Sequence, residues 1–235
     1  MWRDQKVSVI FPTYNEKDSI RKSIEDFFGC EHVDEIIVVN NNAAEGTDEE
    51  VKKTNATLVY EKEQGYGHAI WKGLEAATGD LLIIAEPDGT FSGNDVYKLL
   101  AYSDDVPVVF GTRTSQHFVW EGANMGFLIK FGNWGVGKLM EFLFNTTILT
   151  DVGCSMRLLK REVYEDIRSQ FTVGGSAFGP QLMLLVILNG YIFTEIPVNY
   201  KKRVGTSSVT GSLPRAVMLG IEMARMILKY RVLSW

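Results

Sequence analysis

The chain has 235 residues, a formal net charge of −5, 46% hydrophobic and 23% charged residues. That length and mix suit one α/β domain, or a domain with a modest appendage, with a sizeable core. The acidic balance speaks against a general nucleic-acid binder, which is basic. The only cysteines, Cys30 and Cys154, make no disulfide framework and are expected as reduced thiols in a cytosolic protein.

Met1 to Lys6 is polar and carries no signal-peptide pattern. Val7-Ser8-Val9-Ile10-Phe11-Pro12 reads as a buried strand, closed by Pro12 and followed by the polar Thr13-Tyr14-Asn15-Glu16. A helix is predicted from about Asp18 to Phe28, with Ile20, Ile24, Phe27 and Phe28 at helical spacing and Asp18 or Ser19 as its cap. Asp34 to Val39 is a β-branched strand ending in Asn40-Asn41-Asn42. A short helix, about Asp48 to Thr54, and a strand, Ala56 to Tyr60, come next. Gly65-Tyr66-Gly67-His68-Ala69 opens a helix that runs to about Ala77. It is no dinucleotide fingerprint, because Ile70 stands at the third glycine position and the motif follows the third strand. Such glycines bring backbone close to a ligand or a neighbouring strand.

Leu81-Leu82-Ile83-Ile84 is a buried strand that ends in Glu86-Pro87-Asp88-Gly89. The alternation of strand and helix to this point predicts a mostly parallel sheet covered by helices on both faces. The polar clusters at Thr13 to Glu16, Asn40 to Asn42 and Glu86 to Asp88 then fall on one edge, where ligands of open α/β sheets bind. Two hard oxygen ligands there, Glu86 and Asp88, suit Mg²⁺ or Mn²⁺ on a diphosphate.

A helix from Asn94 to Tyr102 and a strand from Val106 to Phe110, ending in Gly111-Thr112-Arg113, are expected. Phe118 to Leu149 reads as one or two amphipathic helices, packed on the sheet or lying on a membrane surface. Thr150 to Lys160 precedes a helix from about Arg161 to Ile167, and Phe178 to Asn189 is an apolar buried helix. Tyr191 to Val198 is a last strand, Asn199 to Ser212 a basic loop with Lys201, Lys202 and Arg203, and Leu213 to Trp235 a basic amphipathic helix. No run of about 18 apolar residues occurs, so no transmembrane span is expected.

Phe-Pro-Thr-Tyr-Asn-Glu at 11 to 16, Ile-Ile-Val-Val-Asn-Asn-Asn at 36 to 42, Gly-Tyr-Gly-His-Ala at 65 to 69 and Glu-Pro-Asp at 86 to 88 occur in an order and spacing that carry a resemblance. Gly-Thr-Arg at 111 to 113, Asp-Val-Gly-Cys-Ser-Met-Arg at 151 to 157 and Arg-Val-Gly-Thr-Ser at 203 to 207 extend it. Over about residues 7 to 210 the chain resembles an inverting family 2 glycosyltransferase of the GT-A fold, closest in pattern to the dolichol- or polyprenyl-phosphate sugar synthases. The resemblance implies an α/β GT-A domain over 1–212, with 213–235 as a C-terminal amphipathic helix. Pro12, Tyr14 and Glu16 would hold the base and ribose, Asn41 would contact the base, and Gly67 and Ser207 would lie along the substrate. Asp88, with Glu86, would bind the metal and the donor diphosphate. Asp151 would lie by the reacting centre, while Arg157 and Arg203 would face phosphate, which their planar forks suit.

Three departures stand out. Glu86 replaces the first aspartate of the usual Asp-x-Asp, and Asn-Asn-Asn replaces the commoner Asp-Asp-Gly. Phe178-Gly179-Pro180-Gln181 offers no carboxylate where many inverting members carry a base. A phosphate acceptor is already a nucleophile at neutral pH and needs no strong base, so this absence favours a lipid phosphate over a sugar hydroxyl. The expected reaction is in-line attack on the anomeric carbon of a UDP- or GDP-sugar, with inversion. Members of the group often carry C-terminal membrane helices that this sequence lacks. The protein is therefore expected to be cytoplasmic and peripheral at the cytoplasmic membrane face, on anionic lipid where each Lys or Arg contributes about 1 kcal/mol, or to act with a separate membrane protein. A sugar nucleotidyltransferase would need a basic glycine-rich loop where Pro12 to Glu16 stand. A non-catalytic nucleotide-sugar binder is the alternative of another class.

Overall fold

The computed structural model describes residues 1–123, 126–205 and 212–233, with backbone alone at 127 and 128. Its first five strands are β1 (Val7–Thr13), β2 (Glu35–Asn40), β3 (Thr57–Tyr60), β4 (Leu81–Ile84) and β5 (Val108–Thr112). Two more, β6 (Arg157–Lys160) and β7 (Phe193–Pro197), complete one seven-stranded sheet in the order β3-β2-β1-β4-β6-β5-β7. β6 runs antiparallel to both β4 and β5, while the other pairings are parallel. The mostly parallel sheet agrees with the expectation from sequence. The antiparallel insertion of β6 was not anticipated: its two central leucines sit between charged ends, a pattern too short to announce a strand.

The helices are α1 (Ile20–Phe28), α2 (Thr47–Val51), α3 (Tyr66–Ala76), α4 (Asp95–Ser103), α5 (Phe127–Phe144), α6 (Arg161–Ile167), α7 (Phe178–Leu188) and α8 (Leu213–Leu233). The pleat sends alternate residues of β1 to opposite faces. Val7, Val9 and Phe11 join Ile20, Ile24 and Phe27 of α1 and Val96, Leu99 and Leu100 of α4 in one core. Ile10 faces the other way and packs with Ile70 and Leu74 of α3, with α7, and with Met223 and Ile227 of α8. The predicted cap at Ser19 differs in form: its hydroxyl donates to the Glu16 carbonyl, 3.1 Å away, instead of to a helix N–H.

Among the described residues of 118–149 there is one long helix, α5, which packs against α8; a short 3₁₀ turn, Gln116–Phe118, comes before it. Each of the two buries one side and leaves apolar side chains on the other, with Phe142 at 85% exposure, Met218 at 70% and Val232 at 74%. Among the described residues, no helix is long and apolar enough to cross a membrane.

Candidate active site

The carboxyl ends of β1, β2 and β4 meet because the register pairs Thr13 with Asn40 and Ile10 with Ile84. The loops beyond them are tied together. Asn41 N–H donates to the Thr13 carbonyl at 3.1 Å, and Ala44 N–H to that of Tyr14 at 2.7 Å. Glu16 turns its carboxylate back to accept from Tyr14 N–H at 2.6 Å and Asn15 N–H at 2.8 Å. Ser23 Oγ of α1 holds the Pro87 carbonyl at 3.0 Å.

This edge opens into a cavity of about 1470 Å³. Pro12, Tyr14, Glu16, Asn41, Glu86, Asp88, Arg157 and Arg203 all line it. Gly67 and Asp151 do not, and Ser207 lies outside the described residues.

Asp88 is buried at the floor. Its Oδ1 accepts from Thr90 N–H at 2.9 Å and Thr90 Oγ1 at 2.5 Å, and its Oδ2 accepts from Arg203 Nε at 2.6 Å. Arg203 Nη2 also pairs with Asp88 Oδ2 and reaches Glu86 Oε2 at 2.7 Å. Burial, and then repulsion from Asp88, pushes the Glu86 carboxyl up to about 7, against the pull of Arg203. Arg203 in turn rises: burial opposes its charge, but the two carboxylates prevail. A divalent cation fits this corner, since both donors are hard oxygens one residue apart on a fixed turn. No cluster of three or more His, Cys, Asp or Glu suited to a metal occurs among the described residues. The remaining ligands would therefore come from water and a diphosphate, the usual arrangement for Mg²⁺.

Several expected contacts are filled by the protein itself. Asn41 donates to the Glu61 and Glu63 carbonyls at 3.0 and 2.7 Å and accepts from Gln64 Nε2 and Gly65 N–H at 3.1 and 2.8 Å. All four bonding positions of its amide are taken by the 61–65 loop, which it shapes. Asn42 takes φ +57°, the left-handed turn conformation that glycine or asparagine supplies. Arg157 is buried and spends its fork on the carbonyls of Cys154 at 2.8 Å, Val152 at 2.9 Å and Gly179. Burial lowers its basicity. It lines the cavity wall but has its donors turned into the protein. Gly67 makes a close approach of another kind: a Cβ there would lie 2.2 Å from the Val173 carbonyl oxygen. His68 N–H donates to Gly174 O at 3.1 Å, so Gly67 and His68 pack on the 173–174 loop, while Gly65, Tyr66 and Ala69 of the same helix start line the cavity.

Asp151 is buried behind Arg113, to which the sequence motif assigns no role. Arg113 Nε and Nη2 take the two Asp151 oxygens at 2.8 and 2.9 Å, and its main-chain N–H adds a third bond at 2.9 Å. Burial works against the Arg113 charge, yet Asp151 raises its basicity. The guanidinium lies 5.1 Å from the Tyr200 ring centre and faces the cavity. Glu195 accepts from Thr150 N–H, Thr150 Oγ1 and Asp151 N–H at 2.8, 2.5 and 3.0 Å, which fixes the segment that carries Asp151. The signal that could have marked Arg113 is its place just past the end of β5. Tyr66 and Ser155 also line the cavity, and burial raises the Tyr66 phenol far above its ordinary value.

The glycosyl transferase family 2 model matches residues 8–168. The chain belongs to this family. It is 27% identical over 205 residues to a dolichyl-phosphate hexose transferase of Haloferax volcanii, with 86% of each chain covered. An uncharacterised glycosyltransferase of Mycobacterium tuberculosis is 25% identical over 226 residues, with 94% of this chain and 97% of the relative covered. Among solved structures, the glucosyl-3-phosphoglycerate synthase of M. tuberculosis, in complex with Mn²⁺, UDP and phosphoglyceric acid, superposes with a TM-score of 0.76 at 16% identity. The match covers 97% of this chain and 79% of that one. That likeness establishes the GT-A fold. The family match, with relatives named as glycosyl- and hexosyltransferases, makes the protein a glycosyltransferase.

Proposed function

We propose that the enzyme transfers a hexose from a UDP- or GDP-sugar to a polyprenyl or dolichyl phosphate, with inversion, at the cytoplasmic face of a membrane. One observation carries this reading. The cavity that holds Glu86 and Asp88 runs on without a break between α5 and α8, past Ile129, Val136 and Leu139 on one helix and Leu219, Gly220 and Met223 on the other. A polar diphosphate end joined to a long apolar groove matches an acceptor that is a phosphate at one end and hydrocarbon at the other.

Pro12, Tyr14 and Glu16 would border the nucleoside, with the Glu16 carboxylate already oriented by two N–H groups. Asp88 and Glu86 would hold Mg²⁺ or Mn²⁺, which offsets charge on the leaving diphosphate. Arg203 would serve the donor diphosphate and Arg113 the acceptor phosphate. Asp151 and Arg157 would act as positioning residues, the one by aiming Arg113 and the other by holding the 152–154 and 179 backbones together. Carboxylates on the described cavity wall are confined to Glu16, Glu86 and Asp88. Gln181, in the helix region where many inverting members carry a base, is saturated by Thr172, Val173 and Tyr230 at 2.6–3.1 Å. A phosphate oxygen attacks the anomeric carbon as its diphosphate bond breaks, and no proton needs to be removed. The homologue named as a dolichyl-phosphate hexose transferase supports the acceptor class.

The exposed apolar faces of α5 and α8, and the basic residues Arg215, Arg225, Lys229 and Arg231 on α8, suit an anionic leaflet. The test is a thermal-shift screen of UDP-, GDP- and CMP-sugars with and without Mn²⁺. A metal-dependent rise with one of the first two is expected, and no response to any of them would overturn the donor reading.

A further inference from the structure

We infer that Arg203 and the divalent cation compete for the same carboxylate oxygens, so that Arg203 makes cation and nucleoside diphosphate bind cooperatively. The inference rests on the donor site proposed above.

Of the two Asp88 oxygens, Oδ1 is committed to Thr90 and Oδ2 to Arg203, and the Arg203 fork also holds Glu86 Oε2. A cation drawing on Asp88 Oδ2 and Glu86 Oε2, the two oxygens the guanidinium holds, must displace it from at least one of them. The like charges of cation and guanidinium exclude a shared position. Free cation therefore binds against the cost of breaking this ion pair.

A diphosphate changes the balance. It supplies oxygens to the cation and, at the same corner, new acceptors for the freed guanidinium, whose planar fork suits phosphate. The change of partner is confined to the side chain. The strap on either side of Arg203 is pinned by Lys201 N–H to the Thr90 carbonyl at 2.8 Å and by Val204 N–H to the Asp88 carbonyl at 2.9 Å. Asn199 is fixed further back, its N–H and side-chain amide donating to Asp95 at 2.6 and 2.8 Å. Arg203 thus pivots on a fixed backbone from carboxylate to diphosphate. By linkage, whatever factor the nucleotide adds to cation affinity, the cation adds to nucleotide affinity. The device would keep the carboxylate corner neutralised until cation and donor arrive together.

The test is calorimetric titration of the full chain with Mn²⁺ alone, Mn²⁺ with UDP and Mn²⁺ with GDP, for wild type, Arg203→Ala and Arg203→Lys. Arg203→Ala should bind Mn²⁺ alone roughly tenfold more tightly than wild type, the equivalent of about 1.4 kcal/mol, and bind it less tightly than wild type when the preferred nucleotide is present. One substitution then shifts the same affinity in opposite directions. Arg203→Lys keeps the charge but not the fork, and should fall between the two; it serves as the test if the alanine variant fails to fold. Free Mn²⁺ binding the variants no more tightly than wild type would overturn the competition while leaving the metal site standing. No Mn²⁺ binding to wild type, with or without nucleotide, would remove the metal site and the competition with it.

Discussion

Asp151 is a buried carboxylate held by a bidentate pair, because Arg113 donates to both of its oxygens. With Asp151 buried and Arg113 only 11% exposed, removing one partner strands the other's charge. Asp151→Ala is therefore expected to cost about 3–5 kcal/mol of stability, roughly 10 °C in melting temperature for a domain of this size. Activity loss with an unchanged melting temperature would return Asp151 to a direct chemical role. Glu35 makes a second residue-scale prediction. Burial opposes its charge, but hydrogen bonds from Ser8, Thr78 and Lys6 outweigh it and hold the carboxyl below its ordinary 4.5. A lowered acid stabilises the fold above 4.5 and loses that contribution as pH falls through its folded value. Melting curves from pH 7 to pH 3 should show the gap between wild type and Glu35→Gln closing below pH 4.5; a constant gap would contradict the assignment. The sequence exposed Glu86 and Asp88 as a pair because they are neighbours in the chain. It could not expose Arg113 with Asp151, which lie 38 residues apart and meet only through the fold. Nor could it show that Asn41 spends its whole amide on the 61–65 loop, since that depends on where the loop's carbonyls point.

At the scale of elements, the first half of the chain was legible because its buried strands are apolar runs and its longer helices have one apolar face. That pattern broke at β6, where pairing with β4 and β5 decides the structure and not the four residues themselves. α5 and α8 were legible as amphipathic, but the groove between them was not. It depends on which small residues face each other. A Cβ at Gly135 or at Gly220, both of which line the cavity, would meet open space. Leucine at either position should thus fill the groove without strain in the protein. Gly135→Leu and Gly220→Leu are expected to raise KM for a polyprenyl phosphate several-fold and leave nucleotide affinity unchanged. Equal effects on both substrates would mean that the groove does not hold the acceptor.

Across the whole molecule, the sheet gathers three loop clusters at one edge, and α5 and α8 extend that edge into an apolar channel. The fold was legible as a mostly parallel α/β sheet from its order of elements. The joining of polar corner to apolar groove was not, because it is made by residues from both halves of the chain. This joining is the basis for a lipid-phosphate acceptor. It is tested most directly by incubating the full chain with labelled UDP- or GDP-hexose and a polyprenyl phosphate in anionic vesicles, with Mn²⁺ or with chelator, beside Asp88→Ala. The account predicts Mn²⁺-dependent label in the lipid fraction, linked to phosphate with inverted configuration, and its loss in Asp88→Ala. Transfer that is unaffected by chelator and by Asp88→Ala, or label that reaches only sugar acceptors, would contradict it.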